Sequence, residues 1–398
     1  MSLASGQSYL AIPGPSVIPE QVLQSMHRSS PNIYEGELVD LTRSLVPDLK
    51  AVARTDGHVA MYIGNGHAAW EAAVANVLAP GELVLVASTG RFAHGWGETA
   101  TGQGVVVELM EFGIKSPVDP QRIADRLRAD SERKIKAIMV VHVDTSSSIR
   151  SEIAPIREVL DDLEHPALLM VDCIASLGCD PFEMDAWGAD IMVAGCQKGL
   201  MVPAGMSFVY FNDRAAQVRS RMERVSWYWD WVKRTEPDYL FQYFGGTAPT
   251  HHLYGLRTAL DMIHSEGIEA TWARHAKLAE AVWTAVEHWS QKGPLTLNVA
   301  DRAHRSHAVT ALRIGQPYGV DLRHWCEQQA GLTLGIGLGM SEPEDPTGLG
   351  FFRFGHMGHV NAQMIMALLG TVEAGLAAIG APYQAGGVSA AAQVIARA

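Results

Sequence analysis

Short apolar runs recur through the first half of the chain, and each ends at a glycine or a polar residue. These runs are His58–Ile63, Leu83–Ala87, Val105–Met110, Ala137–His142, Ala167–Val171, Asp190–Ala194 and Met206–Phe211. The segments between them are long enough for helices, and Ala68–Leu78 is rich in strong helix formers. Strands that alternate with helices favour a mostly parallel sheet with helices on both faces. We therefore expect an α/β fold.

Two of these runs end beside residues with useful chemistry. Lys198 lies in the glycine-rich loop Gly195–Gly199 after one predicted strand, and Asp172 ends the predicted strand before it. Ligands of open α/β sheets bind at the carboxyl ends of the strands. A lysine that can form a Schiff base and an aspartate that can face a pyridine nitrogen are what pyridoxal phosphate (PLP) requires. Taken singly, a loop lysine is ordinarily a surface residue and a strand-end aspartate a turn former, but together they predict a PLP site.

A third strand end carries a candidate phosphate cradle. Gly64-Asn65-Gly66-His67 follows the first predicted strand and precedes a helix-forming segment. Glycines let the backbone approach an anion, and the free amides of a first helical turn favour negative charge. Such turns also occur for geometric reasons alone. The turn therefore indicates a phosphate site only in combination with Lys198 and Asp172.

The pattern of the chain changes near residue 270. A helix over Thr271–Lys292 precedes several short strands and a further helix that starts near Val320. We expect an N-terminal arm (residues 1–18), a large domain (19–268) and a smaller C-terminal domain (269–398). Phe351–His356 is expected to be an edge strand of the last unit. Arg353 within it needs an anionic partner, either a ligand carboxylate or an inter-strand salt bridge.

The composition argues against several classes of protein. Of 398 residues, 47% are hydrophobic and 19% charged, as in a globular enzyme, and the net charge of −12 argues against a nucleic-acid surface. No apolar stretch approaches the roughly 18 residues that cross a bilayer, and Met1–Gln7 lacks the features of an export signal. No metal site is predicted. We expect a cytoplasmic protein, because a reducing compartment suits four cysteines without CxxC spacing, namely Cys173, Cys179, Cys196 and Cys326.

Five segments occur in the order found in one known family. They are Ile12-Pro-Gly-Pro, Gly64-Asn-Gly-His-Ala-Ala-Trp-Glu-Ala-Ala, Val171-Asp-Cys-Ile-Ala-Ser-Leu-Gly, Gly195-Cys-Gln-Lys-Gly and Arg353-Phe-Gly-His-Met-Gly. With them the chain resembles the class V aminotransferases, specifically the alanine–glyoxylate/serine–glyoxylate branch, from about Tyr9 to Ile379. The resemblance implies PLP as cofactor and the fold type I of PLP-dependent transferases. In that fold a seven-stranded large-domain sheet is joined to a smaller α+β C-terminal domain.

The resemblance also implies a role for each matching position. Lys198 would form the Schiff base and Asp172 would pair with the pyridinium nitrogen. Arg353 would bind the α-carboxylate of the substrate, with Gly14 beside it. The other cofactor contacts implied are the phosphate cradle Asn65, Gly66 and His67, the ring-stacking Phe92, the hydroxyl of Thr145, the phosphate ligand Gln197, and Thr247 from the neighbouring subunit of a homodimer with shared active sites.

Three positions depart from the family pattern. Phe244 stands where a tyrosine usually contacts the phosphate, a bond that is then missing or supplied by Tyr243. Ser148, the last residue of the hydroxyl-rich run Val143–Ser148, replaces a common glycine. Such a run caps a helix or binds a ligand. Cys196 replaces a serine. The aromatic segment Trp227–Trp231 remains open between core, subunit interface and pocket wall, because three tryptophans in five residues cannot all point inward from one element.

The expected reaction is a transamination. A small L-amino acid such as alanine or serine gives its amino group to a small 2-oxo acid such as glyoxylate or pyruvate, with Lys198 as the base. No second arginine is obviously placed for a long dicarboxylate. One alternative is a pyridoxamine–pyruvate-type aminotransferase, which would tolerate Phe244. Others are a cysteine desulfurase or lyase, although the loop Gly337–Gly350 has no cysteine, and a non-catalytic PLP-binding regulator, although no DNA-binding module is visible.

Overall fold

The structure is a computed structural model that describes residues 2–397. Its strands are β1 (Tyr9–Ala11), β2 (His58–Gly64), β3 (Leu83–Ser88), β4 (Val106–Glu111), β5 (Ile135–Val141), β6 (Val143–Asp144), β7 (Ile149–Arg150), β8 (Leu168–Asp172), β9 (Ile191–Gly195), β10 (Gly205–Phe211), β11 (Thr296–Leu297), β12 (Val309–Arg313), β13 (Leu332–Ile336) and β14 (Phe351–Gly355). Its α-helices are α1 (Glu20–Met26), α2 (Glu37–Ala53), α3 (Gly66–Val77), α4 (Arg91–Gly102), α5 (Pro120–Ala129), α6 (Ala154–Asp162), α7 (Asp213–Ser220), α8 (Val232–Thr235), α9 (Thr250–Glu266), α10 (Ile268–Trp289), α11 (Tyr318–Ala330), α12 (Ala362–Ala378) and α13 (Gly387–Ile395). Three short 3-10 helices cover Leu240–Phe244, Ser290–Lys292 and Arg302–His304.

The larger sheet has seven strands in the order β2-β10-β9-β8-β5-β3-β4. All pairings between its neighbours are parallel except those of β10, which runs antiparallel to both β2 and β9. In every strand of this sheet except the edge strand β4, which has no buried residue, alternate residues enter two separate cores: Ile138 and Val140 of β5 pack on one face, and Met139 on the other. Helices α2 and α9 cover the first face, and α3 and α4 cover the second. Burial on both faces explains why these strands read as continuous apolar runs and confirms the predicted α/β fold.

A second sheet has five strands in the order β1-β13-β14-β12-β11. The sequence did not reveal β1, a three-residue strand that pairs in parallel with β13. The prediction of an edge strand at Phe351–His356 is wrong, because β14 pairs with β13 on one side and β12 on the other. An alternating apolar pattern reports which faces of a strand are buried and does not report how many neighbours the strand has.

The five-stranded sheet has a core of its own. Helices α10, α11, α12 and α13 contribute most of that core, which includes Trp289, Phe352 and Leu376. Helix α13 lies beyond Ile379, where the family resemblance ends. Among residues 2–397, no helix is long and apolar enough to cross a membrane. The division of the chain at residues 18 and 268 stays a prediction.

Candidate active site

One edge of the seven-stranded sheet collects the predicted site residues around a single cavity. The carboxyl ends of β2, β3, β5, β8 and β9 meet there, as the parallel pairing requires. The cavity has a volume of about 230 Å³. Its lining residues are Gly14, Pro15, Asn65, Gly66, His67, Trp70, Phe92, Val141, Val143, Thr145, Asp172, Ile174, Ala175, Gln197, Lys198 and Ala204. Nine of the predicted residues are therefore brought together by the fold.

Lys198 lies in a loop that the N-terminal segment holds in place. The amide of Ser16 donates a hydrogen bond to the carbonyl of Gln197 (2.9 Å), and its hydroxyl donates one to the carbonyl of Lys198 (2.7 Å). The lysine amine donates to the carbonyl of Pro13. A Cβ at Gly14 would collide with this amine, which explains the glycine at that position. Burial, with a smaller contribution from the charge of Arg353, lowers the pKa of Lys198 to about 8.

Asp172 is the last residue of β8, and 3% of its surface is exposed. Burial raises the pKa of its carboxyl to about 7, although two hydrogen bonds oppose the shift. The amide of Ile174 donates to Oδ1 (2.7 Å), and the indole Nε1 of Trp70 donates to Oδ2 (2.8 Å). The two donors fix the carboxylate at the cavity wall, close enough to Lys198 for its negative charge to raise the pKa of the lysine.

The predicted cradle is the N-terminus of α3. Asn65 caps this helix, and its side chain accepts a hydrogen bond from the amide of His67 (3.1 Å). A Cβ at Gly66 would collide with Ile174, so the backbone reaches the cavity only without a side chain here. Burial and the charge of Arg91 lower the pKa of His67, which keeps the imidazole neutral at pH 7. The side-chain oxygen Oε1 of Gln197 is buried and has no partner within the described part of the chain.

Phe92 and Thr145 enter the cavity from two segments joined by Asp144. Phe92 lies in the first turn of α4, and Thr145 follows β6. The carboxylate of Asp144 accepts the amides of Phe92 (3.0 Å) and Ala93 (3.3 Å), while the hydroxyl of Ser146 accepts the amide of Arg91 (3.0 Å). Thus the hydroxyl-rich run caps a helix and also lines the cavity. It does both because the hairpin formed by the antiparallel strands β6 and β7 lies against the start of α4.

Arg353 does not line the cavity, but it reaches the segment beside it. Its Nη1 donates to the carbonyl of Thr145 (2.7 Å) and its Nε to the carbonyl of Ile336 (2.7 Å). Neither partner is a carboxylate, so an inter-strand salt bridge does not explain this buried arginine. Burial lowers the pKa of Arg353 to about 10, and the negative charge of Asp144 opposes that shift. The guanidinium therefore remains charged at pH 7.

Thr247 is exposed and lies outside the cavity. Phe244 and Tyr243 do not line it either: Phe244 is fully buried in the core, and Tyr243 is packed against that core. In the single chain, neither of these two aromatic residues lines the cavity that contains the predicted phosphate cradle. The aromatic segment Trp227–Trp231 has two environments: Trp231 is buried against Phe211, whereas Trp227 is 67% exposed.

Three residues with direct roles in this geometry were absent from the predicted set. Trp70 and Ser16 lie within or beside the segments that carry the family resemblance, and Asp144 lies in the hydroxyl-rich run. Trp70 comes one helical turn after Gly66, on the same face of α3, and that spacing is the only sequence signal for its contact with Asp172. The bonds of Ser16 and Asp144 join segments distant in sequence, and no local pattern reports them.

A lysine and a buried aspartate beside a helix N-terminus, at the rim of a mostly parallel sheet, are the groups expected of an enzyme that handles amino groups. The chain belongs to the class V aminotransferases, since the family model described as Aminotransferase class-V matches residues 8–344. It is a transaminase, as the resemblance implied.

Among its relatives, the serine–glyoxylate aminotransferase of Methylorubrum extorquens is 34% identical, over 92% of this chain and 90% of the relative. The L-aspartate–glyoxylate aminotransferase of Paracoccus denitrificans is 32% identical, over 98% and 96% of the two chains. The crystal structure of pyridoxamine–pyruvate aminotransferase from Mesorhizobium loti superposes with a TM-score of 0.88 at 25% identity, over the full length of both chains. The predicted family is thereby confirmed.

Proposed function

We propose that this transaminase uses PLP to move an amino group from a small L-amino acid, such as alanine or serine, to a small 2-oxo acid such as glyoxylate or pyruvate. The observation that carries the proposal is the pairing of Lys198 and Asp172 on the wall of one cavity beside the cradle at α3. Glyoxylate appears in the names of two relatives, and their amino donors, serine and L-aspartate, are both compact amino acids.

The residues present fit PLP. Each oxygen of the buried Asp172 carboxylate accepts one hydrogen bond and keeps a further acceptor site, which suits a cationic ring nitrogen. The capped turn at Asn65–His67 suits a phosphate. The side-chain oxygen of Gln197 has no partner within the described part of the chain, so rotating this amide by 180° presents its NH₂ group to an anion at the same place without breaking a hydrogen bond of that oxygen. Phe92 supplies a flat apolar wall for the ring. When bound, the cofactor supplies an electron sink that makes the α-proton of an amino acid acidic.

The chain's own contribution begins with the amine of Lys198. A pKa of about 8 leaves part of this amine unprotonated at neutral pH, so it can attack a carbonyl and later accept a proton. Ser16 fixes the lysine loop through two backbone carbonyls, which keeps the amine aimed into the cavity. The lysine therefore serves as the proposed nucleophile and base.

Arg353 orients the substrate. Its Nε and Nη1 are held by two carbonyls, which fixes the plane of the guanidinium and leaves Nη2 for a carboxylate. Because a buried guanidinium without an anionic partner is costly, a substrate carboxylate is its natural complement. Gly14 lies on the cavity wall next to the lysine side chain, and we propose that it lines the substrate site there.

We also propose a homodimer in which Thr247 completes the partner's site. The apolar groove next to it, lined by Ile33, Tyr34, Tyr239, Leu240, Phe241 and Ala248, has a volume of about 120 Å³. Tyr34 is 86% exposed and Tyr239 66% exposed in the single chain. Large aromatic residues of this exposure are typical of a protein interface.

We also propose a cytoplasmic location, because the four free, buried cysteines suit a reducing compartment.

The test of the main proposal is a set of half-reactions. Purified protein with PLP should be yellow, and a small amino donor should convert the visible absorbance to that of the amine form of the cofactor. Lys198→Ala should lose the covalent adduct, whereas Lys136→Ala, an exposed lysine on β5, should keep it. If no amino acid changes the spectrum of the wild-type protein, the proposal is wrong.

A pyridoxamine–pyruvate-type activity is the second candidate, favoured by the full-length superposition on that enzyme and by the burial of Phe244. The two candidates differ in their need for the phosphate. A PLP enzyme should bind PLP at least tenfold more tightly than pyridoxal, because charge-assisted hydrogen bonds at the cradle contribute more than about 1.4 kcal/mol. Equal affinities, together with turnover of free pyridoxamine and pyruvate, would favour the second candidate.

A desulfurase is not supported by the structure. Cys326 lies on α11 and is fully buried, and burial raises the pKa of its thiol to about 12. Such a thiol is a poor nucleophile, and the loop from Gly337 to Gly350 contains no cysteine.

A further inference from the structure

Asp144 is a fully buried carboxylate that the reaction itself does not require. It ends β6, and four donors surround it. Its Oδ1 accepts the amide (2.9 Å) and hydroxyl (2.5 Å) of Ser146, and its Oδ2 accepts the amides of Phe92 and Ala93. The charge is thus stabilised by the N-terminus of α4, a twelve-residue helix.

The chemistry at this position calls for a carboxylate and not merely for any polar group. Donors approach from two sides, the hairpin and the helix, and each oxygen serves one side. An ionised carboxylate has only acceptor sites, whereas an amide carries two donors. Asn at position 144 would turn its NH₂ group toward either Ser146 or the first turn of α4, and one side would lose its acceptor.

Two ligand-facing groups depend on this carboxylate. The amide of Phe92 is bonded directly to it, which sets the position of the ring in the cavity. The next residue, Thr145, lines the cavity and offers its carbonyl to Arg353. Space is tight as well, since a Cβ at Gly90 would lie 2.6 Å from the carboxylate. One buried group therefore connects the proposed ring wall with the proposed carboxylate-binding arginine.

We propose that Asp144 is a positioning residue that places Phe92 against the cofactor ring and, through the carbonyl of Thr145, holds Arg353 ready for the substrate carboxylate. This inference rests on the proposed function for the identity of the two ligands. The structural part of the inference, that Asp144 couples the hairpin to α4, is independent of the proposed function.

The decisive variant is Asp144→Asn, measured as full-length protein. In the cofactor-free state, amide hydrogen exchange of the peptide covering residues 90–96 should accelerate about tenfold or more, because the amides of Phe92 and Ala93 lose their acceptor or shift. With PLP bound, the visible circular dichroism should change, since that signal reports how the ring lies against its asymmetric surroundings. The KM for the amino donor should rise about tenfold, the effect of one lost hydrogen bond to a charged group, with a smaller change in kcat.

Asp130→Asn is a matched control. Asp130 is also a buried carboxylate that accepts two backbone amides, those of Lys134 and Ile135, but it lies at the opposite end of β5. The control should lower the melting temperature and leave the circular dichroism of bound PLP and the KM unchanged. If Asp144→Asn also changes only the melting temperature, the positioning role is wrong and Asp144 is merely structural.

Gly90→Ala provides a second route if Asp144→Asn does not fold. The added methyl group displaces the carboxylate while leaving its charge in place, and the same changes in exchange, dichroism and KM are expected. Wild-type dichroism and KM in this variant would overturn the proposal. Should the wild-type protein bind no PLP, the proposed function fails, whereas exchange in the cofactor-free protein still decides whether Asp144 couples the hairpin to α4.

Discussion

The contact between Trp70 and Asp172 allows the role of the buried carboxylate to be tested quantitatively. The indole Nε1 of Trp70 donates a 2.8 Å hydrogen bond to Oδ2 of Asp172 and opposes the rise of its pKa. Trp70→Phe removes this donor but keeps most of the ring. A hydrogen bond to a charged group contributes about 1.5–3 kcal/mol, which corresponds to about one to two pKa units at about 1.4 kcal/mol per unit.

The pKa of Asp172 should therefore move from about 7 to about 8–9 in the variant. At pH 7 the fraction of cofactor-free protein in which Asp172 is ionised falls from about half to roughly 1–10%. If PLP binds through the ionised carboxylate, its affinity at pH 7 should fall about five- to fiftyfold. The pH dependence gives a second test. The difference in PLP affinity between the wild type and the variant should shrink as the pH rises through the new pKa, because the Asp172 carboxylate then ionises in the variant too.

The assay is a titration of cofactor-free protein with PLP, followed by absorbance, at several pH values between 6.5 and 9.5. Trp96→Phe is the matched control, since Trp96 stacks on Trp70 at 6.2 Å, is fully buried, and has no hydrogen-bond partner for its indole within residues 2–397. The control should bind PLP like the wild type at each pH. An equal loss in both variants, or a loss in Trp70→Phe that does not vary with pH, would refute the reasoning.

Two further predictions concern stability and assembly. Asp172→Asn should stabilise the cofactor-free protein more at pH 8 than at pH 5: a native pKa of about 7, above the roughly 3.9 of an unfolded aspartate, means that stability falls as the pH rises between these values. Thermal unfolding at both pH values checks this, and a gain that shrinks toward pH 8 contradicts it. Mixing inactive Lys198→Ala subunits with inactive Thr247→Asp subunits should restore activity, up to about a quarter of the wild-type sites, because half of the random dimers carry one intact shared site. Subunit mixing that restores nothing, in dimers shown to exchange, would place Thr247 outside the partner's site.

Most of the elements that form the large sheet could be predicted from the sequence. Strands buried on both faces are continuous apolar runs, and β2, β3, β5, β8, β9 and β10 agree with the predicted runs to within about two residues. The pattern of apolar residues did not predict which strands pair with each other. It gave β14 the wrong place in its sheet, and it did not reveal β1, whose three residues form a strand only because β13 lies beside them.

The candidate site divides in the same way. Lys198, Asp172 and the turn Asn65–His67 stand at strand ends in the sequence, and parallel pairing alone suffices to bring strand ends to one edge. What the sequence determined by itself was therefore the fold class, the family and this edge. Only the tertiary structure decided that Trp70 fixes Asp172, that Ser16 holds the lysine loop and that Asp144 joins α4 to the hairpin. Each of these bonds links segments between 52 and 182 residues apart. Sequence periodicity describes the surroundings of a residue within its own helix or strand, whereas a hydrogen bond across the fold exists only when packing has brought both partners to the same place.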